Sequence, residues 1–309
     1  MIYTVTLNPA IDKTAVIEHF SVGSVNRITS LREDAGGKGV NVSKCLQKLG
    51  ADTVAAVILA GETGKRLGAM IKDMGIHMLR IPAEGENRTN LKIIDPVNHT
   101  NTDINEPGPR IDEDLLEQLK NKLGQSAHRG DIVVLSGSLP KGVDTGLYAR
   151  WIKFFHYRGV QVYLDADGEA MAKGIAAVPA MIKPNNDELA ALLGKEKLTR
   201  EEMVAEGKRL LQTGVEEVVI SLGGEGVLFV SREGCFQADA LQVPVKSTVG
   251  AGDSVVAAMA YGKEKNLSRE EKIRLAVAIG AASVMQDGSQ PPEASLVWEL
   301  AKHVTIRKL

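Results

Sequence analysis

Short, almost continuously apolar runs alternate with longer stretches of helical periodicity along most of this 309-residue chain, and that rhythm restricts its fold more than any other feature. The apolar runs are residues 3–7, 53–59, 132–136, 161–165, 181–183 and 217–222. A strand that is apolar at nearly every position, rather than every second one, is covered on both faces, as parallel strands are. Between these runs lie amphipathic segments at 40–49, 113–123, 145–157 and 200–211, the last with Met203, Leu210 and Leu211 at helical spacing. This order predicts an α/β fold: a Rossmann-like, mostly parallel sheet with helices on both faces and ligands at the strands' carboxyl ends. Aromatic residues make up only 4% of the chain, so the core is expected to be built from Val, Ile, Leu, Ala and Met.

Two segments break the rhythm. Residues 13–34 carry β-rich runs around a turn at Gly23, and residues 88–105 do the same around Asp95-Pro96-Val97-Asn98. Both read as antiparallel hairpins. They are expected to form a small inserted β-lid, leaving residues 1–12, 35–87 and 106–309 as the α/β core. An antiparallel extension of the main sheet is the alternative.

The strongest chemical signal is Ser247-Thr248-Val249-Gly250-Ala251-Gly252-Asp253-Ser254, followed by a small-residue helix that ends at Gly262. A helix N-terminus presents unpaired N–H groups and a positive dipole end, and small residues let a phosphate approach them. Asp253 beside such a cradle pairs a proton acceptor with charge stabilisation, which phosphoryl transfer requires. A glycine turn with an ordinary capping Asp reads the same locally.

A second cluster, Gly36-Gly37-Lys38-Gly39-Val40-Asn41-Val42, also precedes a helix. It lacks the Walker A spacing, and no Gly-x-Gly-x-x-Gly follows the first strand, which counts against a dinucleotide dehydrogenase. Upstream, Asn8-Pro9-Ala10-Ile11-Asp12 is expected to place Asp12 at the first strand's carboxyl end. In Lys183-Pro184-Asn185-Asn186-Asp187-Glu188, Pro184 ends a strand, and Asn185 and Glu188 have capping-box spacing. The same pair is a candidate for organising Mg²⁺ through water, because that ion keeps much of its hydration shell. Ser221-Leu222-Gly223-Gly224-Glu225-Gly226-Val227 reads either as a plain hairpin or as a flat floor for a nucleotide.

Taken together and in this order, these motifs resemble the ribokinase-like sugar kinases, in their phosphofructokinase-B branch. Ser136-Gly137-Ser138-Leu139-Pro140 matches that family's central strand-end motif, and the resemblance spans essentially the whole chain. It implies MgATP as donor, Asp253 as base, and Gly250, Ala251 and Gly252 as the anion hole. It also implies that Asp12, Gly37, Asn41 and Ser138 hold the sugar, and that Lys183, Asn185, Ser221, Gly223, Gly226 and Ser247 border ATP. A homodimer paired through the lid follows from the same resemblance, as does a monovalent cation such as K⁺ beside residues 282–288.

The acceptor is expected to be a phosphorylated sugar. Arg27 and Arg88 in the two hairpins and Lys38 in the glycine loop would clamp its phosphate if they converge. Within the phosphofructokinase-B branch, Arg88-Thr89-Asn90-Leu91-Lys92 with Thr102-Asp103-Ile104-Asn105 resembles more closely the members that act on fructose 1-phosphate. The resemblance implies that acceptor, with tagatose 6-phosphate and fructose 6-phosphate as neighbours. A catalytically silent sugar- or nucleotide-binding regulator is the non-enzyme alternative. The net charge of −2 offers no basic field for nucleic acid or an acidic membrane. Cys45 and Cys235 lack metal-ligand spacing, and the first residues already read as a strand, so a cytoplasmic protein with reduced thiols is expected.

Overall fold

The computed structural model describes residues 1–309. The chain opens with β1 (Ile2–Thr6), leaves through β2 (Ala10–Val16) and β3 (Ser30–Gly36), and returns with α1 (Lys38–Lys48), β4 (Thr53–Ala60), α2 (Gly61–Asp73) and β5 (His77–Ala83). It leaves again through β6 (Arg88–Asp95) and β7 (Thr100–Asn105). The crossover units then continue with α3 (Glu113–Ser126), β8 (Ile132–Ser136), α4 (Leu147–Tyr157) and β9 (Gln161–Asp165). Next come α5 (Gly168–Ala176), β10 (Met181–Ile182), α6 (Asn186–Leu192), α7 (Arg200–Gln212) and β11 (Glu217–Ser221). A meander of β12 (Val227–Ser231) and β13 (Gly234–Ala238) leads to α8 (Ala251–Glu264), α9 (Arg269–Val284), α10 (Ala294–Ala301) and β14 (Ile306–Lys308).

Ten strands form one sheet in the order β14-β13-β12-β11-β10-β9-β8-β1-β4-β5. The run from β5 to β11 is parallel, and β12, β13 and β14 extend it antiparallel. Its strands are buried on both faces, as their sequences predict. Val133 and Leu135 pack with Leu116, Trp151 and Phe155 on one side, whereas Ile132 and Val134 pack with Leu46, Ala257 and Ile279 on the other. Each large side chain fully buried here contributes roughly 1.5–3 kcal/mol. Strand β10 is the shortest because Pro184 has no N–H to continue the ladder.

The small sheet is separate, in the order β3-β2-β6-β7, so the irregular segments do not extend the main one. Within it β2 and β6 run parallel, and each outer pair is antiparallel. Two details differ from the sequence expectation. The first hairpin begins at Ala10 and ends at Gly36, so Asp12 lies within a strand of the small sheet rather than at the end of β1. Pro9 lacks a donor and separates the two strands. The connection is also longer than a tight turn at Gly23. The Asp95 carboxylate accepts bonds from the amides of His19 (3.2 Å) and Phe20 (2.7 Å), drawing the chain out of the ladder after Val16.

Candidate active site

The carboxyl ends of β9, β10 and β11 and the N-terminus of α8 border a cleft of about 730 Å³. Gly250 caps α8 in the left-handed region, at φ +80°, which favours glycine. The turn brings the amides of Gly250, Gly252 and Asp253 to the cleft without a carbonyl to pair them, whereas Ala251 N–H donates to the Thr248 carbonyl at 3.4 Å. A Cβ on Gly252 would lie 3.3 Å from the Lys183 ammonium. That lysine therefore sits over the amide cradle.

Asp253 is 6% exposed, and its carboxylate accepts a bond from Asn41 Nδ2 at 2.8 Å. Burial pushes its carboxyl up, and the neighbouring Asp165 charge pushes it further, to about 6, against the pull of Lys38, Asn41 and Lys183. The oxygen of the same Asn41 amide is buried and has no partner. Asp165 ends β9 with its side chain 1% exposed. One of its oxygens meets Lys38 Nζ at 3.2 Å and Lys183 Nζ at 3.4 Å, and the other is unpaired. Burial works against the charge on Lys38, but Asp165, Asp253 and Glu188 together outweigh it and hold the ammonium protonated. The result is a cluster of two cations and two carboxylates at the point where α8 begins, buried except for Lys38, whose side chain is 32% exposed.

Asn185 and Glu188 form a complete capping box at the start of α6: each side chain accepts from the other's amide, at 2.7 and 2.8 Å. Both residues also line the cleft, which leaves the second Glu188 oxygen available to it. Ser221, Gly223 and Gly226 form the floor. The segment is the hairpin connection, a 3₁₀ turn between β11 and β12, and it faces the cleft. At Gly226 (φ +100°) a side chain would run into the Ala238 carbonyl, so the turn cannot be built without glycine there.

At the small sheet, Asp12 accepts a 2.8 Å bond from Asn90 and faces Gly36, where a Cβ would overlap its carboxylate. Burial raises the Asp12 carboxyl, opposed by Asn90, Lys44 and Arg88. Gly37 starts α1 at φ +104°, with Thr6 2.7 Å from where its Cβ would stand. Arg88 is half-buried and donates to the Asn8 carbonyl at 3.1 Å.

Three expected residues stand elsewhere. Arg27 lies exposed in the loop after β2, and Lys38 is paired on the cleft side, so Arg27, Lys38 and Arg88 do not meet as a three-cation clamp within one chain. Ser138 is exposed beyond Gly137 and does not line the cleft. Ser247 turns away from the cleft, its amide bonding the Val284 carbonyl at 3.2 Å and its hydroxyl accepting from Val249 at 3.3 Å, and Thr248 lines the cleft instead.

The model of the pfkB family of carbohydrate kinases matches residues 5–295. The chain belongs to that family. This pfkB kinase is 34% identical over 306 residues to a 1-phosphofructokinase of Haemophilus influenzae, covering 99% of this chain and 97% of that one. It is 32% identical to a tagatose-6-phosphate kinase of Staphylococcus epidermidis, with 99% of both chains covered. Phosphofructokinase-2 from Escherichia coli, solved with substrates and products, superimposes with a TM-score of 0.93 at 30% identity, over 98% of each chain. The same E. coli protein has been solved with potassium and as a tetrameric inhibited form. The chain is therefore a phosphotransferase of the carbohydrate kinases, on the Rossmann-like fold with a separate small sheet that the motifs imply.

Asp165 and the apolar wall of the cleft escaped the motif reading. Asp165 ends an apolar strand as its only charged residue, which is a usable signal in an α/β sheet. The wall draws on Ala276, Val277, Gly280 and Ala281 of α9, a small-residue run indistinguishable in sequence from ordinary helix packing.

Proposed function

We propose that this kinase transfers the γ-phosphoryl group of ATP to a hydroxyl of a ketohexose phosphate, with fructose 1-phosphate as its acceptor and fructose 1,6-bisphosphate as product. The observation that carries the proposal is Asp253: a buried carboxylate with a raised proton affinity, held by Asn41 in the first turn of α8 beside open amides and two lysines. Asp253 accepts the proton of the acceptor hydroxyl as that oxygen bonds to the γ-phosphorus. The bond between that phosphorus and the β–γ bridging oxygen breaks, and ADP leaves with the electron pair. Lys38, Lys183 and the amides of Gly250 and Gly252 face the charge spread over the transferring group, in a site buried enough to make them effective. The unpaired Asn41 oxygen, together with Asp12, is suited to sugar hydroxyls.

ATP lies along the floor of Ser221, Gly223 and Gly226, with Lys183 and Asn185 at its phosphates. A divalent ion, when bound, neutralises phosphate charge. No three acidic, His or Cys side chains gather into a metal cage, so Asn185 and Glu188 would hold Mg²⁺ through its waters. Residues 282–288 are the proposed neighbour of a K⁺ ion, supported by the potassium complex of the E. coli relative. Val22, Val25, Ile28 and Leu31 are 91, 81, 51 and 52% exposed on the small sheet and its loop. Such a patch supports a homodimer through that sheet, in the cytoplasm, where ATP and phosphosugars are found.

Coupled assays with fructose 1-phosphate, fructose 6-phosphate and tagatose 6-phosphate separate the acceptors. The highest kcat/KM is expected with fructose 1-phosphate. Equal or greater turnover of tagatose 6-phosphate, which the S. epidermidis relative keeps open, would overturn that choice. No turnover of any of the three would leave the silent regulator as the better reading.

A further inference from the structure

Lys44 is 3% exposed, and its ammonium is the only charged group in the molecule whose three donors all end on neutral oxygens. It donates to the carbonyl of Ala35 at 2.8 Å, the carbonyl of Ser289 at 2.7 Å and the hydroxyl of Ser289 at 2.9 Å. An ammonium has three protons, so its capacity is fully used. Burying such a charge is costly unless its position is fixed by groups that need it, and a hydrocarbon side chain would fill the same space without that penalty.

The two segments it joins are both functional. Ala35 is the next-to-last residue of β3 and precedes Gly36, which packs on the Asp12 carboxylate. Ser289 packs against the cap of α8: its Cβ is 3.9 Å from where a Cβ of Gly250 would stand, and Asn41 Nδ2 is 3.8 Å from the same point. Gly288, next to it, faces the Asp34 carboxylate of β3 across a gap that a Cβ would close to 2.6 Å. Asn41 and Lys44 are three residues apart on α1, hence on one face. One face of α1 therefore holds the base through Asn41 and, one turn later, ties the end of the small sheet to the loop behind the amide cradle.

We propose that Lys44 is a positioning residue that couples the seating of the acceptor under the small sheet to the geometry of the Gly250–Gly252 cradle. This rests on the kinase reading above. Movement of β3 when Asp12 engages a sugar is passed through the Ala35 carbonyl and the shared ammonium to Ser289, and so to the cap of α8. The role is one of placement, since Lys44 touches neither acceptor nor donor.

The test compares Lys44→Met, Lys44→Arg and Ser289→Ala with the parent chain. Lys44→Met keeps the bulk but leaves buried acceptors unpaired. It is expected to lower kcat by about tenfold or more and to raise the acceptor KM, with the KM for ATP unchanged, because small misplacements at a reacting centre cost rate steeply. Lys44→Arg should recover most of kcat, and Ser289→Ala should move the same two constants in the same direction by a few-fold. Hydrogen exchange provides a readout that does not need turnover: in Lys44→Met, peptides spanning 32–37 and 247–256 should lose protection together while α4 stays protected. A lower melting temperature with unchanged kcat and acceptor KM, or exchange that rises only at 32–37, would overturn the proposal. If Lys44→Met does not fold, Ser289→Ala and Lys44→Arg still decide it. An inactive parent chain would count against the kinase reading, and the exchange pattern would still decide the role of Lys44.

Discussion

The two sheets of this molecule solve different problems. The large sheet is buried on both faces and carries the cleft proposed for the donor: Asp165, Lys183 and the glycine floor all sit where its parallel strands end. The small sheet is polar along much of its length, buries few side chains and exposes Leu31 and Ile104 at about half their area. Its proposed sugar-binding residue, Asp12, is held by Asn90 across the β2–β6 pair and by the absence of a side chain at Gly36. Rigidity in the first region comes from packing. In the second it comes from a few hydrogen bonds and close backbone approaches.

The largest effect should come from the junction between the two. Asp253→Asn is expected to reduce kcat by about 10²–10⁴-fold with intact substrate binding, measured by steady-state kinetics and ATP titration. The same substitution should raise stability. The Asp253 carboxyl is pushed up to about 6 from an ordinary 3.8, so the fold favours its protonated form. That contribution is complete below the ordinary value and is lost as pH rises through about 6. At pH 8 the Asn variant should therefore melt above the parent, whereas at acid pH the gap should close. Parent activity should fall as pH drops below about 6, where the base is protonated. An activity profile flat to pH 5 would remove Asp253 from the role of base.

The next effect probes the large sheet alone. Trp151→Ala empties a fully buried site on α4 and should cost about 3–5 kcal/mol in denaturant unfolding. Gly36→Ala probes the small sheet: its methyl would displace the Asp12 carboxylate, so the acceptor KM should rise about tenfold or more while the KM for ATP holds. Equal changes in both constants would show that the two regions are not separable. The smallest intrinsic effect is expected from Leu31→Asp, an exposed position where the stability of the single chain should change by about 0.5 kcal/mol or less. Its readout is mass by sedimentation, with the dimer expected to dissociate.

The same division explains what could be read without coordinates. Residues 132–136 and 161–165 coincide with β8 and β9, because a short, mostly apolar run between polar turns has little else to become. The small sheet was harder to place: its strands are half-polar, and Asp95, far along the chain, decides where β2 stops. The anion cradle was legible because Gly250, Ala251, Gly252 and Asp253 act through their own backbone at one helix end.

By itself, the sequence determined the α/β layering, the glycine turn that starts α8 and the carboxylate placed in its first turn, since each depends on residues within one or two turns of chain. Only the tertiary structure decided that Asp165 joins Lys38 to Lys183, that Arg27 stands apart from Arg88, and that Lys44 spans the small sheet and the α8 cap. Those contacts link residues 127 and 245 positions apart, or depend on which way an exposed loop turns, and local patterns carry no information about either.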